Sequence, residues 1–318
     1  MKNAITILTL LLLVLACQQD KPSKPTTKPD KPTVEIPNFN KDSAYVYIQN
    51  QVDFGPRVPG TNEHLQCADW LEKKLANFGA KAQRQTATVT AFNGEKLPMY
   101  NIIGSYNMEA KKRLLLCAHW DTRPFADQDT ERTNEPILGA NDGASGVGVL
   151  LEIARQLQQK QPNIGIDIIF FDVEDYGKGA AETYCLGSQY WAKNPHTPNY
   201  KAYGGILLDM VGAGDAIFHQ EGYSLQYAKF LVDDIWYTAN KAGYSSYFSF
   251  KKVSPVTDDH LFVNQIAKIP TIDIIQYDQS TAKGFGSFWH THDDNMDIIE
   301  KKTLKAVGQT LLTYIYQQ

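Results

Sequence analysis

Short uninterrupted apolar runs alternate with amphipathic segments along most of this chain. Residues 113–120 (RLLLCAHW), 166–173 (IDIIFFDV), 204–211 (GGILLDMV) and 270–278 (PTIDIIQYD) are the runs. Each is too short for a core helix and rich in branched side chains, so each reads as a strand buried on both faces. Residues 82–92 (AQRQTATVTAF) and 99–106 (MYNIIGSY) alternate instead, as strands of an antiparallel edge do. Apolar positions at helical spacing occupy 42–52, 63–78, 143–159, 224–242 and 301–316. Gly79 reads as a C-cap and Ser224 as an N-cap. Strands alternating with helices predict an α/β fold: one domain, a mixed but mostly parallel sheet, helices on both faces.

Three of the four runs share a further property: at or just past the end of each stands a residue able to bind a cation or move a proton. His119 and Asp121 close the first, Glu174 and Asp175 follow the second, and Asp209 ends the third. Asp142 lies at the glycine-rich start of a helix, and His290 in GSFWHTHDD. Ligands of open α/β sheets bind at the carboxyl ends of the strands, so five segments bring Asp, Glu and His to one rim. Carboxylate and imidazole gathered at one point suit zinc. Each residue also has a plainer reading. Asp142 could cap its helix, Asp209 could satisfy loop amides, and His119 and His290 could be hydrogen-bonded or exposed histidines. The adjacent pair Glu174–Asp175 favours the metal reading, because neighbouring carboxylates repel unless a cation or proton relieves them.

The amino terminus is set apart. Residues 1–17 (MKNAITILTLLLLVLAC) carry Lys2 and an apolar stretch of about a dozen residues, too short for the roughly 20 a membrane span needs. An ordinary secretory leader cut near Ala16 is one reading. The other is a lipoprotein leader, because residues 14–17 (VLAC) resemble a lipobox with Cys17 as the lipidated residue. Residues 18–38 are rich in Lys, Pro and Thr and read as a tether. The catalytic domain is then 39–318, in an exported bacterial lipoprotein of the periplasm held on the outer membrane through its lipid. The remaining cysteines, Cys67, Cys117 and Cys185, are odd in number, and no bridge is expected. A net charge of −4 gives no sign of nucleic-acid binding.

The order H-x-D (His119, Asp121), N-D-G (Asp142), acidic pair, L-L-D (Asp209) and H-T-x-x-D (His290) resembles the zinc-dependent aminopeptidase superfamily over roughly residue 40 to the end. Within it, FFDVED, LLDMVGA, DDHLF and FGSFWHTHDD are similar to the glutaminyl cyclase pattern. Aminopeptidases more usually have Ser and Tyr where this chain has Asp258 and Trp289. The resemblance implies one zinc held by Asp142, Asp175 and His290, with Glu174 as proton shuttle. It implies Asp209 and Asp258 in an acidic network, and Trp289, Phe285 and Val256 around the substrate. His119 and Asp121 would stand beside the metal without binding it. Asp175 departs from the Glu of animal cyclases, which shortens that ligand by one methylene. The implied activity converts an N-terminal glutamine of peptides or exported proteins to pyroglutamate, with loss of ammonia, in a monomer. The same residues would also serve a two-zinc aminopeptidase with Asp142 as the bridge.

Overall fold

Residues 35–318 are described by a computed structural model. The leader at 1–17, Cys17 and the tether up to residue 34 lie outside the described residues. Six strands form one sheet: β1 (Lys81–Thr90), β2 (Lys96–Tyr106), β3 (Arg113–His119), β4 (Gly165–Phe171), β5 (Gly204–Asp209) and β8 (Thr271–Ile275), in the order β1-β2-β4-β3-β5-β8. β1 pairs antiparallel with β2, and β2 antiparallel with β4. The other three pairings are parallel. β6 (Phe218–Gln220) and β7 (Phe248–Lys252) form a small separate ribbon.

The apolar runs supply both faces of the sheet. Leu114, Leu116 and Ala118 of β3 face one core with Ile166, Ile168 and Phe170 of β4. The intervening Leu115 and Cys117 face the other, with Ile169 and Leu207. Period-two alternation of side chains makes every position of such a run apolar. On the first face pack α1 (Lys41–Val52), α2 (Asn62–Asn77), α3 (Ala144–Gln159), α5 (Gly222–Lys241) and α7 (Lys301–Tyr316). The second face is covered by α4 (Leu186–Lys193), whose Trp191 is fully buried against Phe171 and Tyr200. Next to α4 lies the short α6 (Asp259–Phe262), continued by a π turn over Val263–Ala267.

α3 lies unusually close to the sheet. A Cβ on Gly146 would come within 2.2 Å of the Leu208 carbonyl oxygen and 2.9 Å of the Ala118 Cβ, so only glycine allows this approach. The preceding Gly143 has φ +102, a backbone that other residues adopt only with strain. These two glycines seat the first turn of α3 over the ends of β3 and β5.

Two cap assignments differ from the sequence reading. The N-cap of α5 is Glu221, whose carboxylate accepts from the Tyr223 and Ser224 amides at 2.6 and 2.7 Å. Ser224 lies inside the first turn, and its Oγ donates to Glu221 and accepts from the Asp273 amide. Asp259–His260 reads in the sequence as the cap of a helix over LFVNQ, but the helix already begins at Asp259, and Asp258 caps it, accepting from the Asp259 amide at 2.5 Å.

Candidate metal centre

The chain leaves β3 to reach β4 on one side and then crosses to β5 on the other, so the carboxyl ends of these three strands open a crevice. His119 ends β3 and Asp209 ends β5, while Glu174 and Asp175 follow β4. Asp142 precedes α3 and uses no side-chain oxygen to cap it, which removes the plainer reading of that residue. His290 comes from the long loop after β8. Val173, Met210 and His290 all have positive φ, at 52, 47 and 57°. Backbones of this kind cost of order 1–3 kcal/mol each and turn side chains inward where an ordinary loop would not.

Asp142, Asp175 and His290 present one ligand atom each within 4.8 Å of one another, all buried. His290 Nε2 stands 3.3 Å from Asp175 Oδ1 and 3.7 Å from Asp142 Oδ2. A tetrahedral zinc with ligands at about 2.0–2.1 Å keeps its donors roughly 3.3–3.4 Å apart, so the spacing suits one ion at their centre. Asp175 Oδ2 is buried without a hydrogen-bond partner, an orphan acceptor that an ion would satisfy. A second group shares Asp142. His119 Nε2 lies 3.1 Å from Asp142 Oδ1 and 3.2 Å from Asp209 Oδ1.

The surrounding charges show how strongly the site wants a cation. Burial opposes a charge on His290, yet Asp175, Asp127 and Asp142 together raise it from 6.5 to about 9. Burial likewise opposes a charge on His119, but bonds to Asp121, Asp142 and Asp209 hold it well above its ordinary value. Burial would raise Asp175, but His290 and Arg123 hold it below the usual carboxylate range.

The ligands are held by Asp121 and Asp294, which the sequence motifs contain, and by further residues, Asp127 and Arg123 among them, that the sequence did not single out. Asp127 Oδ1 lies 3.2 Å from His290 Nδ1 and also accepts from Arg123 Nε at 2.8 Å. Arg123 Nη1 donates to Asp175 Oδ1 at 3.0 Å and to the Asp175 carbonyl at 2.9 Å. Asp294 accepts from the Asn141 and Asp142 amides at 2.7 and 3.0 Å, and burial followed by the nearby Asp142 pushes its carboxyl up to about 7. The fully buried Arg57 donates to the carbonyls of Trp120, Leu138 and Gly139, joining the β3 exit to the loop before Asp142. Asp121 accepts from the Glu174 and Asp175 amides at 3.0 and 3.2 Å, so it fixes the acidic pair. His292 donates its backbone N–H to Asp129, and its ring sits 2.8 Å from the same carboxylate.

Glu174 does not join the Asp142 group. It lines a small cavity with Asp209, Asp258, Val256, Phe285 and Trp289, and Asp142, Asp175 and His290 line the same cavity. Tyr184, Met210, Thr257 and Ile275, which the sequence reading did not select, complete the wall. The Trp289 ring stacks on His290 at 3.7 Å and meets Phe285 at 4.8 Å. Burial raises Glu174 well above a free carboxylate, and Asp175, Asp258 and Asp259 push the same way against His119. Asp258 is pushed up to about 6 by burial and then by Asp209. Buried acids whose values are raised in this way suit proton transfer.

Fold and site together define an α/β enzyme with a buried candidate metal centre, and comparison with known proteins gives the family. The model of peptidase family M28 matches residues 101–315, and the chain belongs to that family. It is 55% identical to the glutaminyl cyclase of Bacteroides thetaiotaomicron, solved with N-acetylhistamine; the match covers 89% of this chain and all of that one, with a TM-score of 0.87. A structure from Parabacteroides distasonis described as a Zn-dependent exopeptidase is 52% identical over 89% of this chain and 100% of that one, with a TM-score of 0.88. The glutaminyl-peptide cyclotransferase of Bothrops jararaca is 26% identical over 251 residues, 68% of this chain, and the chain spans 65% of that relative's length. Among the described residues, no helix is long and apolar enough to cross a membrane, and Cys67, Cys117 and Cys185 are free and buried.

Proposed function

We propose that this chain is a zinc-dependent glutaminyl-peptide cyclotransferase that closes an N-terminal glutamine to pyroglutamate and releases ammonia. The observation that carries the reading is the pair Asp258 and Trp289 in the wall of the metal pocket. They put an acid and an indole where a peptidase of the superfamily more usually has a hydroxyl and a phenol. The 55% identity to a protein called a glutaminyl cyclase supports the same choice.

Asp142, Asp175 and His290 would hold one zinc ion per chain, and the orphan acceptor on Asp175 favours that group. Bound there, zinc supplies Lewis-acid polarisation of the substrate γ-amide. The remaining work belongs to the protein. Glu174 takes a proton from the α-amine as its nitrogen bonds to the amide carbon, and returns it to the nitrogen that leaves as ammonia. Asp209 and Asp258 orient the nitrogen protons. Trp289, Phe285 and Val256 enclose the side chain and exclude water. Ring closure is intramolecular, so orientation supplies much of the rate.

The substrates are peptides or exported proteins with N-terminal glutamine. Cys17 carries the lipid that holds a periplasmic monomer to the outer membrane, with residues 18–38 as the tether. Nucleic acid has no part in it. The second reading, a two-zinc aminopeptidase, rests on the His119–Asp142–Asp209 group. A metal titration separates the two. Stripped protein should lose ammonia release and regain it fully with one equivalent of zinc. Recovery that needs two equivalents, or full activity without metal, would overturn the one-zinc proposal.

A further inference from the structure

Of the three buried cysteines, one touches the catalytic pocket. Cys185 Sγ lies 3.2 Å from Glu174 Oε1, close for a sulfur donor and a carboxylate acceptor. The backbone repeats the contact. The Cys185 amide donates to the Glu174 carbonyl at 2.9 Å, and the Leu186 amide to the Val173 carbonyl at 2.9 Å. Cys185 itself stands in the left-handed region, φ 55°, at the head of α4. That helix is anchored by Trp191 in the core, so the thiol is presented from a rigid element. Glu174, Cys185 and Asp258 bring their donor or acceptor atoms within 4.8 Å of one another.

We propose that Cys185 is a positioning residue: its S–H donates to Glu174 Oε1, fixing the rotamer of the proton shuttle and leaving Oε2 to face the substrate. This rests on the cyclase reading for its consequence, though the contact itself does not. The chemistry suits a thiol. Burial pushes Cys185 well above its ordinary value, and the neighbouring carboxylates add to this, so the sulfur stays protonated and can only donate to a carboxylate. A thiol is a weak donor. It can orient the carboxylate without stabilising its charge as a lysine or arginine would, so Glu174 keeps its basicity. A serine-like hydroxyl would bond more strongly, and an apolar side chain would leave Oε1 unsatisfied.

Two measurements test this. The first is independent of turnover. In the infrared spectrum of the zinc-loaded full chain, the S–H band lost in Cys185→Ala should lie at lower frequency than those of Cys67 and Cys117, and Glu174→Gln should move it upward. A Cys185 band that ignores Glu174→Gln overturns the proposal. The second is kinetic, on a peptide beginning with Gln. Cys185→Ala should lower kcat about tenfold, about 1.4 kcal/mol of barrier, with KM, zinc content and melting temperature held. Cys185→Ser should restore most of the loss. Parent-like kcat in Cys185→Ala, or equal loss in the serine variant, would reduce Cys185 to a packing residue. If the parent enzyme itself releases no ammonia, the cyclase reading fails, while the infrared result still decides the contact.

Discussion

Asp127 and His290 meet through Oδ1 and Nδ1 at 3.2 Å, and this contact decides which face of the imidazole the pocket sees. With Nδ1 turned to Asp127, Nε2 is left toward Asp142 and Asp175. Arg123 grips the same Asp127 through Nε and Nη2, both at 2.8 Å, and grips Asp175 through Nη1. Two ligands from loops far apart in sequence are therefore tied into one ring of bonds. Outer partners of this kind typically contribute about 10–100-fold in metal affinity. Asp127→Ala should weaken zinc binding by that order while leaving the fold intact, as competition with a chelating dye would show. Unchanged affinity would mean that the backbone alone sets the His290 ring.

The same histidine makes metal binding depend on pH. Its value in the metal-free site is about 9 against 6.5 unperturbed, and zinc needs the neutral ring. A proton therefore competes below about 9, and apparent affinity should fall about tenfold per pH unit from His290 alone. Stability of the metal-free protein runs the other way. A raised folded value contributes stability that is complete below 6.5 and lost as pH rises through 9. Chelator-buffered zinc titrations and melting curves from neutral to mildly alkaline pH check both trends.

Glu174 and Asp258 should separate chemistry from binding. Glu174→Gln should keep zinc and lose about 10²–10⁴ in kcat, the usual contribution of a positioned acid–base group. Normal turnover in that variant would remove Glu174 from the shuttle role. Asp258→Ser should depress ammonia release far more than zinc content, measured on the same preparation. Equal loss of both would make Asp258 a structural residue.

Gly146 offers a test from the fold. Gly146→Ala places a methyl against the Leu208 carbonyl and Ala118, so α3 must lift from the sheet. Overpacking of this kind costs about 1–3 kcal/mol. Because Asp142 precedes that helix, zinc affinity should fall together with the denaturation midpoint. A stability loss with unchanged affinity would show that Asp294 and Arg57 hold the Asp142 loop without help from α3.

Much of this architecture was legible because the buried strands are continuous apolar runs. β3, β4, β5 and β8 each announce themselves that way, and the residues ending or following three of them converge because parallel strands share one carboxyl edge. The alternation in β1 and β2 likewise marks an antiparallel edge. Asp127, Arg123, Arg57 and Cys185 were not legible as parts of the site. They act across sequence gaps that no periodicity spans, and an Arg or Asp in a polar loop looks the same whether solvated or buried. Caps were missed for a related reason. Glu221 and Ser224 both suit a helix start, and only the paired bonds from two amides show which one serves.

The most direct test is to incubate the zinc-loaded enzyme with a short peptide beginning with Gln and follow the peptide by mass spectrometry. The account predicts a single product lighter by one ammonia, its chain length unchanged and its amino terminus blocked. Release of free glutamine and a peptide one residue shorter would contradict it.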